Sequence, residues 1–164
     1  MEQTIDGIVS KILGSEELTS EITQRLIGQA KEAAEKISDM TRREKCYKDL
    51  SLALAKQGFF KHALSIVDQI QGPEYRCYVL SVLVSQMSAK RNYSQAFELI
   101  LQIDDEAYKE DALGYLFKSL CENKRHEEAV QLLAKLDNPN DKVFAKKILS
   151  SIQPLQTRGS KARS

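Results

Sequence analysis

The sequence predicts an all-α protein built as a solenoid of stacked helical hairpins, and three observations carry that prediction. An eleven-residue pattern recurs at fixed spacing: ALSIVDQIQGP (63–73), AFELILQIDDE (96–106) and AVQLLAKLDNP (129–139) stand 33 residues apart. Ahead of each lies a second helical pattern. Tyr47, Leu50 and Leu54 are matched by Leu80, Leu83 and Met87, then by Leu113, Leu116 and Leu120. A helix pair of this size cannot bury its apolar stripe alone, so neighbouring pairs must stack, and each copy becomes the floor for the next.

The elements follow in order. Ile5, Ile8, Val9, Ile12 and Leu13 form an apolar stripe on a short first helix. Its plain role is packing; the sharper reading is a dimerisation or groove-plugging segment. Ala30 and Ile37 fall in phase with the repeat, but Gly14 and Glu17 stand where it wants packing residues. Residues 16–38 are therefore expected as one longer helix, and residues 1–40 as an N-terminal cap.

Three full units occupy 41–73, 74–106 and 107–139, and residues 140–152 supply the first half of a fourth. TRRE (41–44) predicts a capping box opening the first unit. The breaks KQGF, AKRN and ENKR separate the two helices of each unit. The second helices carry Ala63, Ala96 and Ala129, where only a small side chain lets two helices approach closely. GP at 72–73 and NP at 138–139 end one helix and open the next. Residues 153–164 are polar and basic and read as a disordered tail.

Composition narrows the function classes. The 164 residues hold 24 basic and 23 acidic side chains, so no global field points to nucleic acid or membrane. The charge is uneven, with net −4 over 1–40 (4 basic, 8 acidic) and +5 over 140–164 (6 basic, 1 acidic). No apolar run approaches a membrane span, and the opening residues do not resemble a signal peptide. Cys46, Cys77 and Cys121, an odd count without CxxC spacing, point to a reducing compartment and away from a disulfide or zinc framework. A cytoplasmic location is expected.

GFFKHAL (58–64), RNYSQAF (91–97) and KRHEEAV (124–130) keep an alanine, and in two copies an aromatic, at the spacing of the tetratricopeptide turn and second helix. Tyr47, Leu50, Ser51 and Leu54 similarly follow that family's first helix. Over residues 41–152 the chain thus resembles the tetratricopeptide-like helical repeats. It departs from them in its 33-residue period and in Val84 and Phe117 at a usually small position. Its architecture is also similar to the tetratricopeptide-type chaperones of bacterial secretion systems.

The resemblance implies a right-handed solenoid whose first helices line a concave groove for a peptide or helix of a partner protein. Carried over by register, the groove takes Lys45, Lys48, Leu52 and Lys56 from the first unit and Tyr78, Ser81 and Ser85 from the second. Asp111, Gly114 and Lys118 follow from the third, and Phe144 and Lys147 from the last helix. The lysines bias the groove towards ligands with acidic residues. Of the family's carboxylate clamp only Lys48 matches; Leu52, Val82, Asp111 and Tyr115 fill the other positions, so a chaperone-tail adaptor is not implied.

Lys45, Tyr78, Asp111 and Phe144 share one column, so packing does not demand an aromatic there. The two rings are candidate anchors, with packing against neighbouring loops as the alternative. Phe59 reads as a packing residue, His126 as a partly buried turn residue, and His62 as exposed. Cys46 reads as core filler, whereas Cys77 and Cys121 are expected nearer the surface. No residues are spaced for a triad, a metal site or a phosphate loop, so neither enzyme activity nor a cofactor is expected. The leading expectation is an adaptor or chaperone. The alternatives are a structural subunit self-associating through residues 1–15 and, more weakly, a nucleic-acid binder using the basic C-terminal end.

Overall fold

The computed structural model describes residues 4–161, with side chains as far as residue 152. It is all-helical: among the described residues nine helices occur and no strand. They are α1 (Ile5–Gly14), α2 (Ser20–Glu35), α3 (Met40–Lys56), α4 (Phe60–Val67) and α5 (Pro73–Ala89). Then come α6 (Tyr93–Ile100), α7 (Glu106–Glu122), α8 (His126–Ala134) and α9 (Pro139–Lys161). None of the described helices is long and apolar enough to cross a membrane. The chain divides into two compact units, Met1–Leu83 and Val84–Ser164.

In the first unit, α1 packs on α2 and α3, and α3 packs on α4. Ile5, Ile8 and Ile12 of α1 are buried, as are Leu26, Ile27 and Ala30 of α2 and Tyr47, Leu50 and Leu54 of α3. The apolar side of α1 is thus covered by its own unit, with Leu13 left 42% exposed. Ala63 of α4 is fully enclosed, as a close helix approach requires. Phe59 is half-buried and meets the half-buried His62 edge-on, ring centres 5.9 Å apart.

The ends of these helices differ from the sequence expectation for local reasons. The second helix starts at Ser20 rather than 16 because Thr19 caps it, its hydroxyl accepting from the Ile22 N–H at 3.3 Å. No capping box forms on Thr41. Asp39 caps α3 instead, accepting from the Arg42 N–H at 3.2 Å. Glu44 turns away to the loop before α5, where Oε1 accepts from the N–H groups of Gln71 (2.8 Å) and Gly72 (2.7 Å). That bonding keeps a carboxylate 7% exposed in an otherwise apolar setting.

In the second unit, α7 packs on α6, α8 and α9, and α8 also packs on α9. Its core holds Leu113, Leu116, Phe117 and Leu120, with Ala96, Ala129 and Ala145 fully enclosed. One polar network threads it. The Ser119 hydroxyl donates to the Ser88 carbonyl at 3.1 Å and lies 3.5 Å from the Tyr93 hydroxyl; Asn123 donates to the Ser119 carbonyl at 2.8 Å. Lys109 reaches Asp141 at 3.1 Å, fixing the start of α9 beside the start of α7.

Three turns share one stop. The N–H groups of Phe59, Asn92 and Arg125 reach back to the carbonyls of Leu54, Met87 and Leu120 at 2.8–2.9 Å. The residue before each is left-handed: Gly58 (φ 86), Arg91 (φ 62) and Lys124 (φ 58). This is the six-to-one closure that ends helices on a residue with positive φ. Downstream, the backbone of α9 is helical to Lys161, into the stretch where the sequence predicts a disordered tail (153–164). The side chains of that stretch, and residues 162–164, lie outside the described residues.

Candidate functional site

Within the first unit, two predicted groove residues, Lys48 of α3 and Tyr78 of α5, come together with Tyr75, a residue the repeat columns do not include. The Lys48 ammonium lies 5.8 Å from the centre of the Tyr75 ring and 5.9 Å from that of Tyr78. Both distances suit attraction between a cation and the negative face of a ring. Asp49 Oδ1 stands 3.6 Å from the same nitrogen. Lys48 is therefore a positioned cation, its stem half-buried, while Tyr78 remains 38% exposed.

Tyr75 was missed because register compares residues 33 apart and not neighbours across a packed helix. The signal was present in its spacing: three residues before Tyr78, it shares that residue's side of α5. Of the other predicted residues here, Lys45 and Lys56 are exposed and Leu52 is half-buried. Ser81 is 4% exposed, and its hydroxyl donates to the Tyr78 carbonyl at 2.9 Å. It supports the Tyr78 turn of helix and presents nothing to a ligand.

In the second unit, Asp111, Lys118 and Lys147 are exposed, and Ser85, Gly114 and Phe144 are half-buried. A Cβ built on Gly114 would meet nothing within 4 Å, so a notch is open there. Lys118 stands 4.0 Å from Glu122 along its own helix. Tyr115, next to the notch residue, is a 47% exposed aromatic that the groove register does not include.

A separate cleft of about 1000 Å³ opens in the first unit between α2 and α3, with the start of α1 beside it. Arg42, Lys45, Cys46 and Asp49 line it from α3, and Gln29, Glu32, Ala33, Lys36 and Ile37 from α2 and the turn that follows. Thr4, the N-cap of α1, and Ile5 and Asp6 of its first turn complete the lining. Only Lys45 among these belongs to the predicted groove.

The cysteines are placed differently from expectation. Cys46 is the half-buried one and faces this cleft; Cys77 and Cys121 are buried in the core, at 5% and 1% exposure. Burial pushes the Cys46 thiol above its usual range, the carboxylates of Asp6 and Asp49 push it further, and Arg42 and Lys45 partly offset them. It is a neutral thiol in the cleft wall, not an activated nucleophile. Among the described residues, no group of three or more His, Cys, Asp or Glu side chains is placed to hold a metal ion.

Compared with known proteins, this chain matches no family model, no curated protein and no solved structure, so the likeness to tetratricopeptide repeats stands on its own residues alone.

Proposed function

We propose that this chain is a non-enzymatic protein-interaction module: a tetratricopeptide-like, right-handed solenoid that takes a peptide or helix of a partner on the inner faces of its first helices. The spacing of its elements supports the reading. α3, α5, α7 and α9 start at residues 40, 73, 106 and 139, and the left-handed residues fall at 58, 91 and 124, all in steps of 33. The observation that carries the binding function is the Lys48 ammonium set against the rings of Tyr75 and Tyr78. A cation with aromatic surface beside it suits a segment bearing acidic and apolar side chains. A cytosolic adaptor or chaperone role follows from this reading. Self-association through residues 1–15 has less support, since Ile5, Ile8 and Ile12 are covered within their own unit.

The test is affinity capture from native lysate with the wild-type chain, Lys48→Met, Tyr78→Ala and a control, Val130→Ser, on another exposed position. Partners held by the wild type and the control, but lost from Lys48→Met and Tyr78→Ala at unchanged helical circular dichroism, are expected. Capture indifferent to both substitutions would remove the inner face from consideration.

A further inference from the structure

The cleft between α2 and α3 is polarised. α2 and α3 are joined by a short link and pack together, so they run antiparallel. On α3 the lining charges run Arg42, Lys45, Asp49 away from that link; on the other side Lys36, the C-cap of α2, opens the link and Glu32 lies one turn back along α2. Each helix is therefore basic towards the shared turn and acidic away from it. Asp6, from the first turn of α1, adds a further carboxylate to the lining. Asp49 also stands 3.6 Å from Lys48 outside the lining, so it shares that ammonium while facing the cleft together with Asp6 and Glu32. Between the charges the wall is apolar: Ile5, Ala33, Ile37 and the Cys46 thiol.

We propose that this cleft is a second binding site, for a short dipolar peptide segment whose acidic side chain lies towards Arg42 and Lys45 and whose basic group lies towards Asp6 and Asp49. Size and spacing select that class. The volume is at the upper end for small-ligand sites, more than a single amino acid fills. Arg42 and Asp49 are seven residues apart on one helix, about 10 Å along its axis. The two charges of a free amino acid cannot span that distance. An acidic and a basic residue four apart on an extended strand share one face, span about 13 Å, and reach both poles through their side chains.

Cys46 gives a direct reporter, because it lines the cleft while the other two cysteines are buried. The experiment measures iodoacetamide alkylation of Cys46 by peptide mass spectrometry, in mildly alkaline buffer, on the full chain. The probes are acetyl-Glu-Ala-Ala-Ala-Lys-amide and the neutral acetyl-Gln-Ala-Ala-Ala-Gln-amide. The dipolar peptide is expected to slow alkylation by 1 + [L]/Kd, about threefold at twice its Kd, with the neutral peptide inert. Arg42→Gln and Asp6→Asn should each abolish most of that protection, and Tyr78→Ala should leave it unchanged, which separates this site from the inner-face reading. No protection, equal protection by the neutral peptide, or protection that survives both cleft substitutions overturns the proposal. Should either variant lose its helical circular dichroism, the wild type is compared at low and high salt. Protection that fades with salt supports the site, and protection indifferent to salt overturns it.

Discussion

Glu44 and Gly72 are fitted to one another: Oε1 of the carboxylate accepts the Gly72 N–H at 2.7 Å, and a Cβ on residue 72 would stand 2.5 Å from Oε2. Glutamate side chains are flexible, but this one is buried and held by two backbone donors, so it cannot retreat without losing them. Gly72→Ala and Glu44→Ala should each cost about 1–3 kcal/mol, because both leave buried polar groups poorly matched. The double variant should cost clearly less than the sum, since removing the carboxylate also removes the collision. Urea unfolding of the four proteins measures this. Strict additivity would mean that the two residues act independently.

The left-handed turns give the opposite sign. A side chain at positive φ costs roughly 1 kcal/mol, which glycine avoids. Gly58 already takes that form, whereas Arg91 and Lys124 hold it against their preference. Arg91→Gly and Lys124→Gly should each raise stability by up to about 1 kcal/mol, and Gly58→Ala should lower it by a similar amount. Thermal melts would show two upward shifts and one downward shift. Three downward shifts would refute the turn assignment.

Two ion pairs of the second unit predict different costs. Lys109 and Asp141 meet at 3.1 Å with side chains 19% and 5% exposed, whereas Lys118 and Glu122 are 4.0 Å apart and both mostly in solvent. Asp141→Ala strands a half-buried ammonium and should cost about 1–3 kcal/mol. Lys118→Ala should change stability by less than about 0.5 kcal/mol. Comparable denaturation midpoints for the two variants would contradict this.

Cys46 should make the fold weaker in alkali. Burial, then Asp6 and Asp49, raises its thiol, and burial, then Glu122, does the same for Cys121. The folded chain therefore keeps these protons to higher pH than the unfolded chain does. Their stabilisation is whole below the ordinary thiol range and is lost as pH rises through the raised folded values. Cys46→Ala should flatten that decline. Asp6→Asn removes one cause and should speed Cys46 alkylation about two- to threefold at fixed pH. An unchanged rate would mean that the Asp6 charge does not reach the thiol.

Much of the helical order was legible because it is written locally. Apolar spacing placed the helices, and the alanines at 63, 96 and 129 are all enclosed, as their size demanded. What escaped depends on distant partners. Thr41 and Glu44 have the spacing of a capping box, yet the carboxylate found donors 27 and 28 residues on, a choice no local pattern encodes. Cys77 stands near the start of α5, where exposure is expected, yet it is 5% exposed, because burial depends on what packs against that turn and not on its place along the helix. The cleft was invisible for another reason. α1 and α2 precede the repeats, and without internal copies nothing marked Asp6 or Glu32 as unusual.

Ser51, Val84 and Phe117 sit 33 residues apart and are each wholly enclosed, though their bulk grows from a hydroxymethyl to a phenyl ring. Their surroundings must therefore differ by about that volume. Each of the three positions is fitted to its own surroundings: exchanging the residues among them would leave a void at one and force a collision at another.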